Sequence, residues 1–410
     1  MPPLDLNVAA VVAIVVSTYV VIALGQPPFV RFRVDRTGAA LIGAILMVAV
    51  GRLSLDEAWQ AIDHRTIIML FGMMVLVASL GLARLFRVLA RWIVASISHP
   101  VALLVAVVFA TGALSALFVN DTICLVFTPV LIEIARARGQ RPLPYLLALA
   151  TASNIGSVAA ITGNPQNMLI GSLSGIPYRS FTAALGPVAL FGLAADTAII
   201  AWLFRHELTP ATAVAPPEPV RPVHRAMMLK GGLITAGVLV GFLSGLDTAL
   251  VSACATAAVL LTRRAKPAKI YQQVDGGLLA LFMGLFVVVR GLERAGIDQQ
   301  LFAWLQPIGV ETVWGLSVVT AALSNLVSNV PAVMLFIRLI PHLPDPGQAW
   351  LTLAMASTLA GNLTILGSIA NLIVVEGAAR HGVTIRFLDY LRVGLPVTLI
   401  SLAFGIWWLS

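Results

Sequence analysis

The sequence predicts an all-α polytopic membrane protein built as two inverted repeats, each with five crossings, a re-entrant hairpin and a broken helix. Three observations carry that expectation. First, 59% of the 410 residues are hydrophobic and only 11% are charged, against roughly a quarter charged in soluble domains. Second, apolar runs such as Leu6–Leu24, Thr182–Leu203 and Val393–Leu409 approach or exceed the roughly 17–25 residues that cross a bilayer. Third, polar interruptions recur in the two halves. Leu114-Ser115-Ala116-Leu117-Phe118-Val119-Asn120 returns as Leu323-Ser324-Asn325-Leu326-Val327-Ser328-Asn329. Each is followed by a second polar patch. Ala152-Ser153-Asn154-Ile155-Gly156 leads into Thr162-Gly163-Asn164-Pro165-Gln166-Asn167, and Ala356-Ser357-Thr358-Leu359-Ala360-Gly361-Asn362 leads into Gly367-Ser368-Ile369-Ala370-Asn371. Paired helix breaks of this kind belong to transport-like architectures.

In chain order, the first half offers crossings at Leu6–Leu24, Thr37–Val50, Thr66–Ala83, Pro144–Ile161 continuing brokenly to Ile170, and Thr182–Leu203. The second half offers Met228–Leu243, Thr248–Thr262, Gly277–Gly291, Ala349–Ile365 continuing to Val375, and Val393–Trp408. Between the third and fourth crossings of each set lie two apolar legs that meet near Asn120 or Asn329. Trp59-Gln60-Ala61-Ile62-Asp63 aligns with Tyr271-Gln272-Gln273-Val274-Asp275, and Phe71-Gly72 with Met283-Gly284. The stretch from Arg205 to Arg225 concentrates charge and proline, including Pro216-Pro217-Glu218-Pro219, and cannot form an apolar crossing. The expected division is therefore a first repeat over 1–204, a cytoplasmic linker over 205–227 and a second repeat over 228–410. An odd number of crossings separates equivalent positions, so the repeats run in opposite orientations.

The formal charge of +8 sits in the loops and points to membrane topology, not to nucleic acid. With this count of crossings, twenty basic residues fall inside: Arg31, Arg33, Arg36, Arg84, Arg87, Arg91, Arg136, Arg138, Arg141, Arg205, Arg221, Arg225, Lys230, Arg263, Arg264, Lys266, Lys269, Arg380, Arg386 and Arg392. Six fall outside: Arg52, Arg65, Arg179, Arg290, Arg294 and Arg338. The positive-inside rule then places the linker in the cytoplasm and both termini outside, in a cytoplasmic (inner) membrane of bacterial style. The first apolar run has no basic start and no clear cleavage site, so a removable signal peptide is not expected. Cys124 and Cys254, one in each half, read as small buried side chains rather than a disulfide or zinc framework. The six His residues show no ligand spacing, so neither metal nor catalytic residues are expected.

Unpaired backbone groups in hydrocarbon cost several kcal/mol, so the polar patches must face protein, ion or water. Pro129 and Pro331 each remove an amide donor, and Gly156, Gly163, Gly361 and Gly367 permit tight breaks. Broken helices aim amide ends at a shared cavity, suited to an anion, while carbonyl ends hold a cation. Asn120, Asn154, Asn167, Asn329, Asn362 and Asn371 add donors and acceptors without permanent charge, and their recurrence favours a shared site over simple helix–helix bonding. With Thr162, Asn164, Ser328 and Thr364 they make up the candidate binding set. Asp121 is the leading acidic candidate, because a carboxylate between two hairpin legs is costly unless hydrated, paired, cation-bound or protonated. The rival role for Asp121 is to cap the second leg. Asp196 and Glu376 are weaker candidates, placed near a membrane surface, and Arg290 with Glu293 reads as a local ion pair.

These motifs resemble the ion transporter superfamily that holds arsenite-efflux permeases, sodium/proton antiporters of the same fold, P-protein relatives and silicon-efflux transporters, with divalent-anion/sodium symporters as distant kin. The resemblance rests on Asn120-Asp121 with Pro129 nine positions after the Asn, on Ser328-Asn329-Val330-Pro331, and on the two Asn/Gly-rich breaks. In dicarboxylate and citrate relatives a Ser-Asn-Thr triplet at each hairpin tip helps to hold carboxylate and sodium. Here the triplets are Val119-Asn120-Asp121 and Ser328-Asn329-Val330, which disfavours the carboxylate symporters and favours the arsenite or sodium/proton branch.

The resemblance implies secondary-active movement of a small inorganic solute, as in proton-coupled arsenite or antimonite efflux by alternating access, with Asp121 changing protonation and a hairpin-bearing unit moving past the first two crossings of each half. A sodium/proton antiporter, a silicate exporter and a sodium-coupled organic-anion transporter stay open, as does a non-transporting receptor or structural subunit. The coupling ion is a proton or sodium, and no other cofactor is implied. The expected partners are the solute and membrane lipid; a homodimer and a partner ATPase stay open, since no Gly-rich Lys-Ser/Thr phosphate loop occurs in the chain itself.

Overall fold

The computed structural model describes residues 6–24, 34–95, 97, 99–208, 225–261 and 266–410. Most of the expected linker, with Pro216–Pro219 and His224, lies outside the described residues, as do Arg31, Arg33, Arg221, Arg263 and Arg264 of the charge map. The described residues form helices and connecting turns. Ten α-helices end by Leu203 and ten begin at Arg225. Their order matches element for element. Leu6–Leu24, Arg36–Ala49, Leu55–Ala61, His64–Leu82 and Leu85–Ala95 are followed by the hairpin legs Pro100–Leu117 and Asn120–Ala137. Next come the broken pair Leu143–Val158 and Pro165–Ser174, and then Tyr178–Leu203. The second set runs Arg225–Leu243, Thr248–Leu260, Pro267–Tyr271, Gly276–Arg294, Ile297–Leu305, the legs Val313–Val327 and Asn329–Phe336, the broken pair Pro346–Ala360 and Ile369–Arg380, and Phe387–Leu409.

All ten expected crossings coincide with helices. Among the described residues six helices are long and apolar enough to cross a membrane: five of these crossings, with His64–Leu82, Tyr178–Leu203 and Phe387–Leu409 among them, and the first hairpin leg Pro100–Leu117. The short helices Leu55–Ala61, Leu85–Ala95, Pro267–Tyr271 and Ile297–Leu305 were not expected, being shorter than any crossing. Leu85–Ala95 buries Phe86 and Ala90 while Arg87 and Trp92 face out, the division of a helix lying along an interface. Exposed Trp59, Trp202, Trp304, Trp314, Trp407 and Trp408 stand at helix ends, where amphipathic rings anchor a membrane protein. Cys254 corrects one expectation: it is exposed, unlike buried Cys124, because helix Thr248–Leu260 turns one apolar face outward.

The halves interlock through matched crossings. Helix His64–Leu82 packs on Thr248–Leu260, and Gly276–Arg294 packs on Arg36–Ala49. At the first crossing a Cβ on Gly72 would lie 2.6 Å from the Ser252 carbonyl oxygen; at the second, one on Gly284 would lie 2.7 Å from the Ala40 carbonyl carbon. Both glycines occupy the same position in corresponding helices, so the close approach is built twice. The hairpins, the broken pairs and the final helix of each half form a second body of contacts, in which Tyr178–Leu203 runs antiparallel to Phe387–Leu409.

Candidate functional site

Each broken pair stops and restarts the same way. After Val158 the chain turns through a 3-10 segment at Ile161–Gly163, and Asn164 caps the new helix by accepting from the Asn167 amide at 2.8 Å. After Ala360 a turn at Ile365–Gly367 leads to Ser368, which caps Ile369–Arg380 by accepting from Ala370 N at 3.3 Å. The interruption frees carbonyls that lipid cannot satisfy. Asn167 Nδ2 donates to Ser157 O and Ala160 O at 3.0 and 3.1 Å. Asn371 Nδ2 donates to Gly361 O and Thr364 O at 2.7 and 3.0 Å. Donor and acceptors recur at a constant offset in sequence, which identifies both amides as braces of the breaks.

The braces also join the two pairs. Asn154 Nδ2 donates to Asn371 Oδ1 at 3.1 Å, and the corresponding residue of the other half, Thr358, donates through Oγ1 to Asn167 Oδ1 at 3.5 Å. Asn154 is the centre of the network. It accepts from Asn120 Nδ2 at 3.0 Å and Ser368 Oγ at 2.9 Å, and its second amide proton goes to Asn362 Oδ1 at 2.8 Å. Both protons and both lone-pair directions are used. Asn362 in turn donates to Thr151 O at 3.1 Å.

The second hairpin tip is tied in through Asn329. With its amide nitrogen placed toward the facing carbonyls, it donates to Ser357 O at 3.1 Å and Gly367 O at 3.2 Å, and its oxygen accepts from Gln166 Nε2 at 3.2 Å. Ser328 holds the tip at φ +76° and ψ +159°, a region rarely open to side chains other than glycine and costing on the order of 1–3 kcal/mol. That strain stands in the lining of the cavity described next.

A cavity of about 70 Å³ lies between the tips, lined by Asn120, Asp121, Asn164, Gln166, Asn329 and Ser368, together with Pro165, Ser328, Val330, Ile369, Leu278 and Asp275. Four helices begin at its wall, at Asn120, Pro165, Asn329 and Ile369. Each N-terminus carries roughly +0.5 of an elementary charge, so together they supply about +2. Asp121 and Asp275 face them, and among the described residues no Lys, Arg or His lines the cavity. Asp121, Asp275 and Leu278 also line a larger cavity of about 570 Å³ with Arg87, Val119 and Gln273, so the small cavity continues into this vestibule. Outside the lining of both cavities, Asp63, which aligns with Asp275 in sequence, accepts from Ser172 Oγ at 3.0 Å.

Of the candidate set, Asn120, Asp121, Asn164, Ser328 and Asn329 line the cavity. Asn154, Asn167, Asn362 and Asn371 stand behind it as buried supports. Thr364 contributes its carbonyl to Asn371. Thr162 is not brought in: its hydroxyl lies 3.0 Å from Ala116 O and 2.9 Å from the Tyr178 hydroxyl. Thr358, Gln166, Ser368 and Asp275 were missed. The half-to-half alignment could have found Thr358 opposite Asn154 and Asp275 opposite Asp63. Asp196 is fully buried within the protein, and Glu376 is exposed beside Arg380. The Arg290–Glu293 pair forms at 2.6 Å, with Arg338 added at 3.3 Å.

Matched sets of apolar helices, two broken pairs and an Asn- and Asp-lined cavity between them define a polytopic membrane protein of the transport class. The chain belongs to the CitMHS family, described as citrate transporter, whose profile it matches over residues 19–360, and it is a membrane transporter of the ion transporter superfamily that its motifs resemble. It is 33% identical to the silicon efflux transporter LSI3 of Oryza sativa subsp. japonica, over 91% of this chain and 92% of that one. It is 24% identical to the putative transporter arsB of Dictyostelium discoideum, over 91% and 87%. Among solved structures, the Alcanivorax borkumensis YdaH transporter superimposes with a TM-score of 0.59 at 18% identity, covering 98% of this chain and 96% of that one.

Proposed function

We propose that the chain is a secondary-active exporter of a small neutral oxyacid, arsenous, antimonous or silicic, coupled to inward proton flow across a bacterial-style inner membrane. The observation that carries this reading is the charge balance of the 70 Å³ cavity, where four helix N-termini face two carboxylates and no basic side chain. A polyanion such as citrate would add its charge to Asp121 and Asp275, which already balance the four helix N-termini, with no Lys, Arg or His among the described residues lining the cavity. A neutral solute rich in hydroxyls finds donors in the Asn120, Asn164 and Asn329 amides and acceptors in the carboxylates. The silicon efflux named for the rice relative and the arsenite reading of the motifs concern solutes of this shape. The paired carboxylates also favour a second reading, sodium/proton antiport, in which a cation replaces the oxyacid.

The two halves act as inverted repeats over 1–204 and 228–410, joined by a cytoplasmic linker. With the charge map, the vestibule beside Arg87 and Gln273 opens to the cytoplasm. The body of hairpins and broken pairs carries cargo past the cross-packed scaffold helices, and Asp121 gains and loses the coupling proton at the junction of cavity and vestibule. The test is flux into sealed vesicles of purified protein under imposed pH or sodium gradients, with arsenite, silicate, citrate and sodium offered in turn. Wild type accumulates an oxyacid only under a pH gradient. Asp121→Asn, which keeps the side-chain volume but cannot titrate, loses about tenfold or more of that flux, equivalent to about 1.4 kcal/mol or more. Gradient-driven citrate uptake, or full flux in Asp121→Asn, would refute the assignment.

A further inference from the structure

Behind the Asn network sits a carboxylic acid that the cargo site does not use. Asp196 lies seven residues before the C-terminal end of helix Tyr178–Leu203 with no solvent exposure. Its Oδ1 is 2.8 Å from Thr151 Oγ1, and that hydroxyl is also 2.9 Å from Leu147 O. Asp196 Oδ2 has no partner among the described residues. The helices packed on this stretch offer no compensating cation. Pro100–Leu117, Leu143–Val158 and Pro346–Ala360 contain no charged residue. On Phe387–Leu409, Tyr390 is the titratable group within electrostatic reach, while Asp389 is half-buried at the helix start and Arg392 is exposed. On Arg225–Leu243, Lys230 is turned to Val259 O and Leu261 O. Tyr145 lies at the far end of its helix, bonded to Gln140. Cys124 reaches the tyrosine and Asp121 and is bonded to Ser153.

Proton counting decides between the two forms of Asp196. Ionised, it has one neutral donor, a bare second oxygen and no counter-charge in an apolar interior, which strongly disfavours the charged form. Protonated, it donates to Thr151 Oγ1, which then gives its own single proton to Leu147 O, so both short contacts are satisfied at once. Two further polar atoms in the same buried region, the Tyr390 hydroxyl and Thr398 Oγ1, also lack partners among the described residues. The antiparallel run that sets Gly192 against Ser401 brings Thr398 to the level of Asp196. These are the groups from which an ionised Asp196 would draw a second donor after a small rearrangement.

We propose that Asp196 is a proton-binding site, occupied in this conformation and carried with the cargo site as a second coupling group beside Asp121. The connection is short. The Thr151 carbonyl holds Asn362, Asn362 holds Asn154, and Asn154 holds Asn120 at the cavity wall. Helix Tyr178–Leu203 packs on the broken pair and the first hairpin, so Asp196 belongs to the body that bears the cargo site. A change in the broken pair on cargo release shifts Thr151 away from Asp196 and frees the proton.

Infrared difference spectra of the full chain in vesicles, recorded across pH, read the proton directly. A carbonyl band of a buried, protonated carboxylic acid is expected. It should vanish in Asp196→Asn, persist in Asp196→Glu and Asp121→Asn, and change frequency in Thr151→Val, which deletes the acceptor. The threonine variant decides the matter even where Asp196→Asn does not fold. A band indifferent to both Asp196→Asn and Thr151→Val would overturn the proposal. In flux measurements, oxyacid accumulation in Asp196→Asn should fall to the level seen without a pH gradient; accumulation at the wild-type level would also overturn it. This arm rests on the proton-coupled reading above, whereas the spectra do not. If wild-type vesicles move no solute under a pH gradient, coupling fails, while the band still decides where the proton sits.

Discussion

At the residue scale, the asparagines divide by whether their hydrogen-bonding capacity is spent. Asn154 has none to spare: two acceptors and two donors are all engaged inside the protein. It is a support that fixes Asn120 at the cavity wall and the two breaks against each other. Each such bond contributes roughly 0.5–1.5 kcal/mol net, and more where a partner is left unsatisfied. Asn154→Ala is therefore expected to destabilise the protein by roughly 2–6 kcal/mol, read from its unfolding transition in detergent. Transport lost with unfolding unchanged would instead make Asn154 a cargo contact. The sequence exposed these amides because a polar side chain is conspicuous in an apolar run. It could not separate supports from lining residues, since that depends on which way each amide points after the helix breaks.

Among the elements, the crossings and breaks were legible because each leaves a local mark: a long apolar run, or a glycine–asparagine patch that interrupts one. The helices Leu55–Ala61, Leu85–Ala95, Pro267–Tyr271 and Ile297–Leu305 left none, being short and mixed in polarity. Thr358 was passed over because a threonine in a helix reads as bland until it is set beside Asn154, and Asp196 was ranked below Asp121 because a single charge in an apolar crossing carries no mark of its depth. The glycines of the Phe71-Gly72 and Met283-Gly284 alignment acquire a physical reason only in three dimensions, where two helix backbones nearly touch. A Cβ at Gly284 must push helix Arg36–Ala49 away, and overpacking of this kind costs about 1–3 kcal/mol. Gly284→Ala should lower the unfolding midpoint accordingly, while Gly237→Ala, on helix Arg225–Leu243 where an added Cβ would meet nothing within 4 Å, should be neutral or gain about 0.5–1 kcal/mol. Equal effects at both positions would argue against the matched crossing.

For the whole molecule, the two sides of the cavity differ in a way that the repeat makes informative. At one side Ser172, on the restarted helix of the first broken pair, donates to Asp63 at 3.0 Å. At the other, Asp275 lines the open vestibule, and Glu376, the counterpart of Ser172, is exposed and turned toward Arg380 at 3.8 Å. If the halves exchange roles during transport, the contact closed here opens while its counterpart closes. Asp63→Cys with Ser172→Cys, in a chain carrying Cys254→Ala, should be joined by a short bifunctional thiol reagent in the resting protein. Asp63 also caps helix His64–Leu82 through Thr66 N at 2.6 Å, and losing that cap costs about 1 kcal/mol. Joined in this way, the protein should lose flux and regain it when a cleavable reagent is reduced. Asp275→Cys with Glu376→Cys should react slowly at rest and faster when a cargo gradient drives turnover. Flux that continues with positions 63 and 172 fully joined would show that the two sides do not alternate through these contacts.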